Sequence, residues 1–319
     1  MKKRKIFVIV IIDMILLSFF LLASSTDLIL KERQEKSYKL TVLVDAVNSE
    51  CDENFKMGIT KGAMDWNMDV NLSYISNYEA VEEIKLLLQK EIDNGSVGLI
   101  LNCNNKELAE AIISEIPVGM PVILWNMSLD APRVRGEVSV DREEEITLLM
   151  QAVMDARTEG QDVALIERNG VYEKEKSIHE ELSRRLLEQG VQVRLVKINE
   201  LSSADTLVKG MAVQNKNILV SADFMVLKAL ADSCQKSKIV LPLYGLGWGL
   251  SVRDCLEEGY ISGLVVQRSY EAGYLALSKV AGLVKKEDAR KEVFAVESAL
   301  VTPINMYLPE IETFIFPYV

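Results

Sequence analysis

The chain is poor in the residues that reactive protein sites most often use. It has one histidine, His179, and four cysteines, Cys51, Cys103, Cys234 and Cys255, none of them at C-x-x-C spacing. A zinc site needs several such ligands converging, so no metal centre is expected. There is no G-x-S-x-G elbow, no H-E-x-x-H, no P-loop and no G-x-G-x-x-G after a strand. Those are the patterns that announce acyl transfer, metal-assisted hydrolysis, phosphate cradling and dinucleotide binding. The expectation is a chain that is not an enzyme and carries no cofactor. His179 falls in a polar amphipathic helix beside Glu180, Glu181, Arg184 and Arg185, where a solvated face accounts for it.

Positive charge is also scarce, with 36 Lys and Arg against 47 Asp and Glu, a net charge of −11. Residues 1–38 hold seven Lys or Arg against four Asp or Glu, a surplus of three, which leaves −14 for the remainder. A body that acidic is a poor match for nucleic acid. No Gly/Ser-rich or Pro-rich stretch separates two halves, so any passage between domains runs through structured chain and not a flexible tether.

What the sequence does contain begins with a targeting segment. The basic start MKKRK precedes an apolar run over 6–23 broken only by Asp13. Such a run marks export, either as a cleaved signal peptide, with Ala23 and Ser25 at a small-residue site, or as an uncleaved helix long enough to span a bilayer. The charged stretch DLILKERQEK that follows reads as a stalk, which favours the anchor. No cysteine follows the run, so a bacterial lipoprotein anchor is not expected. The localisation expected is extracytoplasmic, tethered to the membrane or released if the signal is cleaved. Export permits disulfides. Cys51 and Cys103 each follow an expected strand and Cys234 and Cys255 lie on neighbouring expected helices, so either pair could bond; free buried thiols are the other state.

With 319 residues, 49% of them hydrophobic, there is material for two cores. From residue 39 short Val/Ile/Leu-rich strands alternate with amphipathic helices. Strands are expected at 40–44, 70–75, 97–101 and 121–125, with helices at 54–66, 79–94 and 106–113. A second series places strands at 162–166, 191–198, 218–221 and 239–243 among helices at 143–156, 173–189, 204–213, 224–233 and 250–258. The segment 137–141 reads as an extended connection and 293–301 as a further strand. This alternation predicts an α/β chain of two doubly wound, Rossmann-like lobes.

One stretch, GYISGLVVQRSYEAGYLAL over 259–277, is the most informative. Gly259 and Gly263 bracket a buried strand that ends on Gln267 and Arg268, and Tyr270, Tyr274, Leu277 and Val280 follow at helical spacing. Polar side chains at the C-terminal end of such a strand stand where open α/β sheets hold ligands.

Together with SYKLTVLVDAVNSECDENFKMGITKGAMDW, VGLILNCNN, MPVILWN, VSVDREEE, ILVSADFMVLKAL and VESALVTPIN, this stretch resembles, in order and spacing, the type I periplasmic binding proteins of the ribose and galactose class. The lactose-repressor effector domain shares that fold. The resemblance covers 39 to about 305. It implies two lobes joined by three hinge crossovers, near Ser139–Asp141, Val266–Arg268 and 291–294. The lobes would then comprise 39–139 with 268–290 and 140–267 with 291–319, behind an anchor and stalk over 1–38. A repressor would need a helix-turn-helix where this chain has its apolar run.

The resemblance also implies a ligand-binding set: Asn54 and Phe55 opening the first helix, Asn102 and Asn126 after strands, Asp141 at a hinge, Tyr172 and Lys176 in the second lobe, Trp248, and Gln267. The family's sugar-binding charges are thinned out, with Asn126 and Met127 in place of an Asp-Arg pair, Ala222 in place of an Asn and Gly247 in place of an Asp. The implied function is capture of a small polar ligand, a sugar or sugar derivative. The partner would be an ABC importer permease or a two-component sensor kinase, and the body is expected to be monomeric. The tail MYLPEIETFIFPYV lies past the resemblance and could pack on a lobe or meet a partner.

Overall fold

The computed structural model describes residues 2–25, 37–46, 53–75, 81–170, 173–214, 217–286 and 292–317, and within the first of these the side chains of 11–22. The chain divides into two compact units, Met1–Ser37 and Tyr38–Val319. Among the described residues the first holds one helix, α1 (Lys2–Ser25). Its described side chains are exposed on every face, from Ile11 at 43% to Phe19 at 72%. Among the described residues no helix is long and apolar enough to cross a membrane. The expected span over 6–23 falls inside α1, where the side chains of 11–22 are described, and the stalk lies mostly outside the described residues.

The second unit alternates strand and helix because its strands are continuous apolar runs that need cover on both faces. The chain lays down β1 (Tyr38–Asp45), α2 (Glu53–Trp66), β2 (Met68–Ile75), α3 (Val81–Asp93), β3 (Ser96–Leu101), α4 (Lys106–Glu115), β4 (Val122–Trp125) and β5 (Val134–Val140). It then crosses to a second lobe with α5 (Arg142–Ala156), β6 (Asp162–Arg168), α6 (Glu173–Glu188), β7 (Val193–Ile198), α7 (Ala204–Gln214), β8 (Asn217–Ser221), α8 (Phe224–Ser237), β9 (Leu243–Leu246), α9 (Arg253–Glu257) and β10 (Gly263–Gln267). α10 (Ser269–Val284) and β11 (Glu292–Val296) return to the first lobe, and β12 (Ser298–Val301) and α11 (Pro309–Ile315) end in the second.

Each lobe holds a six-stranded sheet, in the orders β11-β5-β4-β3-β1-β2 and β12-β10-β9-β8-β6-β7. The first is parallel throughout its described pairings; the second carries one antiparallel edge, β10 with β12. Two buried apolar clusters flank each sheet, one per face, which is the doubly wound arrangement the alternation predicts.

Three expectations need correction. The segment expected as a connection over 137–141 belongs mostly to β5, a full strand between β4 and β11. The strand expected at 239–243 forms instead at Leu243–Leu246: Pro242 has no N–H to give a ladder, although its carbonyl accepts from Leu219 N at 2.8 Å. The strand expected over 293–301 is two strands in different sheets, so residues 292–296 pair with β5 in the first lobe and the third crossing falls at Glu297, later than expected.

The three crossings, at Asp141, Arg268 and Glu297, are tied to one another. Arg268 N donates to Glu297 O at 3.0 Å, and its guanidinium lies 3.1 Å from the Glu297 carboxylate. Ser298 N donates to Glu144 Oε2 at 3.0 Å. Gln267 Nε2 donates to Glu145 Oε1 at 2.6 Å, and Glu145 is 1% exposed.

Two glycines set the approach of helices to the cleft. A Cβ on Gly58 would stand 1.9 Å from Tyr270 O, and one on Gly273 2.2 Å from Phe55 O. Only glycine lets α2 and α10 pack backbone to backbone, which fixes their N-termini, Glu53 and Ser269, side by side.

Candidate functional site

The strand ends of both lobes face a shared cavity of about 80 Å³, well under the roughly 300 Å³ at which ligand clefts usually begin. The cleft is thus shut down to a small polar chamber. The first lobe contributes Asn54, Asn102, Asn104, Trp125 and Asn126, and the second Lys174, Glu175, Ala222, Trp248 and Gln267.

Backbone geometry explains several of these identities. Asn126 has φ 53 and Gly247 φ 98, both left-handed. Asparagine tolerates the first conformation and glycine the second, whereas an aspartate at 247 would be strained. The absent acid at 247 is therefore built into the turn. Trp125 is stacked on Phe55, centroids 5.1 Å apart and planes at 11°.

Three of the first lobe's four lining amides are already engaged. Asn102 Nδ2 donates to Trp125 O at 2.8 Å. Asn104 donates through Nδ2 to Asp45 Oδ2 at 3.3 Å. Asn54 Nδ2 donates to Phe314 O at 3.1 Å and Ile315 O at 3.3 Å. Those carbonyls belong to the C-terminal segment, which packs on the body. Phe314 and Ile315 enter the second lobe's core, Phe316 meets Trp248 edge to face at 5.7 Å, and the Arg268 guanidinium sits 4.2 Å over the Phe314 ring. The segment straps the mouth of the cleft, with Asn54 of one lobe bonded to a piece of the other.

The second lobe brings ionisable groups. Glu175 is 7% exposed, and its Oε2 has no hydrogen-bond partner. Burial pushes its carboxyl above the ordinary range; Lys174 pulls the other way, while Asp223 and Asp45 add to the rise. One turn on, His179 is 2% exposed and its Nε2 accepts from Ala222 N at 2.9 Å. Its Nδ1 faces Glu167 Oε2 at 3.5 Å. Burial holds this imidazole below its ordinary value, against the pull of Glu167 and Asp223. The solvated face expected for His179 is thus wrong: it supports the cavity wall at Ala222. Asp223 caps α8 through Met225 N and Val226 N and pairs with Arg168 at 3.1 Å.

Of the expected binding residues, Asn54, Asn102, Asn126, Trp248 and Gln267 line the cavity. Phe55 does not; it is fully buried behind Trp125. Asp141 caps α5 through Glu143 N and Glu144 N. Lys176 is half-exposed and paired with Glu173 and Glu180 on the helix surface. Tyr172 lies outside the described residues. Asn104, beside Asn102 among the amides expected after β3, lines the cavity too, and residues not expected are Lys174, Glu175, Phe224 and Ser269. For Glu175 a signal existed: it opens the stripe Glu175, Ile178, His179, Leu182, Leu186, all buried, at the spacing of a core-facing helix. Cys103, Cys234 and Cys255 are free and buried, which raises each thiol to about 11; Cys51 lies outside the described residues.

No family model and no curated protein matches the chain. Solved structures match its fold. A carbohydrate-transporter solute-binding protein from Agrobacterium radiobacter, in complex with D-arabinose, superposes with a TM-score of 0.73 at 16% identity, covering 88% of this chain and 100% of that one. A glucose-galactose binding protein from Geobacillus stearothermophilus gives 0.67 at 18%, covering 86% and 100%. A periplasmic ribose ABC transporter protein from Conexibacter woesei gives 0.69 at 13%, covering 87% and 97%. At these identities the likeness is one of fold: the body has the two-lobed architecture of the type I periplasmic binding proteins.

Proposed function

We propose that the chain is an extracytoplasmic solute-binding protein that captures a small polar ligand, a sugar or sugar derivative, between its lobes and presents the closed form to an ABC importer. The observation that carries this reading is the cavity itself. It lies at the strand ends of both lobes, beside three crossings, so a ligand touching both walls would favour closure. Aromatic and amide side chains together suit an amphipathic ring. The structural neighbours described with sugars bound support the same reading.

A membrane-anchored co-receptor for a histidine kinase is the second reading. What favours it is α1, whose described apolar side chains are exposed all round; an all-round apolar helix is at home in lipid and not in water. Both readings begin with a ligand. Titrating the detergent-solubilised full chain with monosaccharides and polyols should raise Tm for at least one of them, with about 2.7 kcal/mol gained at a hundredfold excess over Kd. A flat response across the panel would sink the solute-binding reading. Cross-linking in membranes then distinguishes a permease from a kinase as the captured partner.

A further inference from the structure

One acid in the wall of the cleft is unsatisfied. Glu175 lines the cavity, and its Oε2 is buried and has no partner. Asn54 gives its amide hydrogens to Phe314 O and Ile315 O, while Asn102 and Gln267 give one each, to Trp125 O and to Glu145 Oε1. All three keep carbonyl oxygens that can accept.

Two further acids stand behind the wall. Asp45, 1% exposed, stands behind Asn104, and Asp223, 4% exposed, behind Ala222. Both are close enough to raise the Glu175 carboxyl. Arg168 is committed to Asp223 at 3.1 Å, and Lys197 to Glu167 at 3.1 Å. Lys174 is the cation that lines the cavity. It is adjacent to Glu175 on α6, where neighbours in sequence do not face each other, and Glu175 Oε2 stays unpartnered beside it.

We propose that the ligand carries a protonated amine, as an amino sugar does, and that Glu175 receives it. This rests on the solute-binding reading above and names its ligand class. An ammonium donates three hydrogen bonds and accepts none, which suits a buried carboxylate oxygen that has no donor of its own. It also compensates the buried carboxylate through a charge-assisted bond, where a neutral hydroxyl leaves the charge uncompensated. A ligand bearing carboxylate or phosphate would be repelled by the same wall. The present cavity is too small for a hexosamine, so binding requires the lobes to part and reclose.

Calorimetric titration of the full chain in detergent at pH 7 with D-glucosamine, D-galactosamine, their neutral parents and N-acetyl-D-glucosamine tests this. The amines should bind at least tenfold tighter than both the parents and the acetylated form, and Glu175→Gln should erase that preference. The wild-type contrast between glucosamine and its acetyl derivative needs no variant, so a misfolded mutant leaves the test intact. Neutral parents binding as well as the amines would overturn the amine assignment while leaving solute binding standing. Silence from every compound would overturn both.

Discussion

The two lobes share a fold and differ in how they finish the cleft. The first closes its side with amides already bonded to backbone or to Asp45, over helices locked by Gly58 and Gly273. The second closes its side with ionisable groups: a buried glutamate lacking a partner, a buried neutral histidine, and an aspartate held by Arg168. One wall is mechanically set and, Asn126 apart, largely bonded within the protein. The other keeps an unsatisfied acid, so the ligand class proposed above rests on the second lobe.

The contrast breaks most severely at the α2–α10 contact. Gly58→Ala puts a methyl against Tyr270 O, and the helices must separate; a loss of about 3 kcal/mol is expected from overpacking, read by chemical denaturation. A loss under about 0.5 kcal/mol would mean that the first lobe is not locked there.

The second lobe should show its character in acid. Burial depresses the folded pKa of His179, so its neutral form contributes stability that is fully present above the ordinary histidine pKa of 6.5. That contribution is lost as pH falls below this value, with a slope approaching about 1.4 kcal/mol per pH unit for one proton. Glu167 Oε2 at 3.5 Å and Asp223 oppose the effect. His179→Gln should flatten the stability profile between pH 7 and 5; an unchanged profile would remove His179 from the account.

The smallest effect sharpens the comparison by control. Gly210 lies in α7 of the second lobe, and an added Cβ there meets nothing within 4 Å. Gly210→Ala should stabilise by about 0.5–1 kcal/mol, opposite in sign to the same change at Gly58. Loss of stability would mean that this helix is also constrained by backbone contact.

Much of the architecture was legible in the sequence because interior parallel strands are unbroken apolar runs: VILW and NILVS are buried along their whole length. Elements without an unbroken apolar run were harder. β5 carries Arg135 and Glu137 among its apolar residues and reads as a connection, and the break at Glu297 between two sheets has no local signature. In the site, Asn102, Asn126 and Gln267 were legible as cavity-lining residues, since the fold puts strand ends at the cleft. The roles of Phe55, Asp141 and Lys176 were not, because one helical step separates core, cap and solvent from the cavity wall. Glu175 and His179 were hidden by polarity: a charged residue on a buried stripe looks like surface until its neighbours are known.

The three crossings carry one last consequence. A single connection would leave two bodies free to swing, twist and slide. Three, bonded to each other through Arg268 with Glu297, Ser298 with Glu144 and Gln267 with Glu145, suppress twist and slide and leave a door-like rotation. On the solute-binding reading proposed above, opening and closing then reduce to a single angle between two rigid faces.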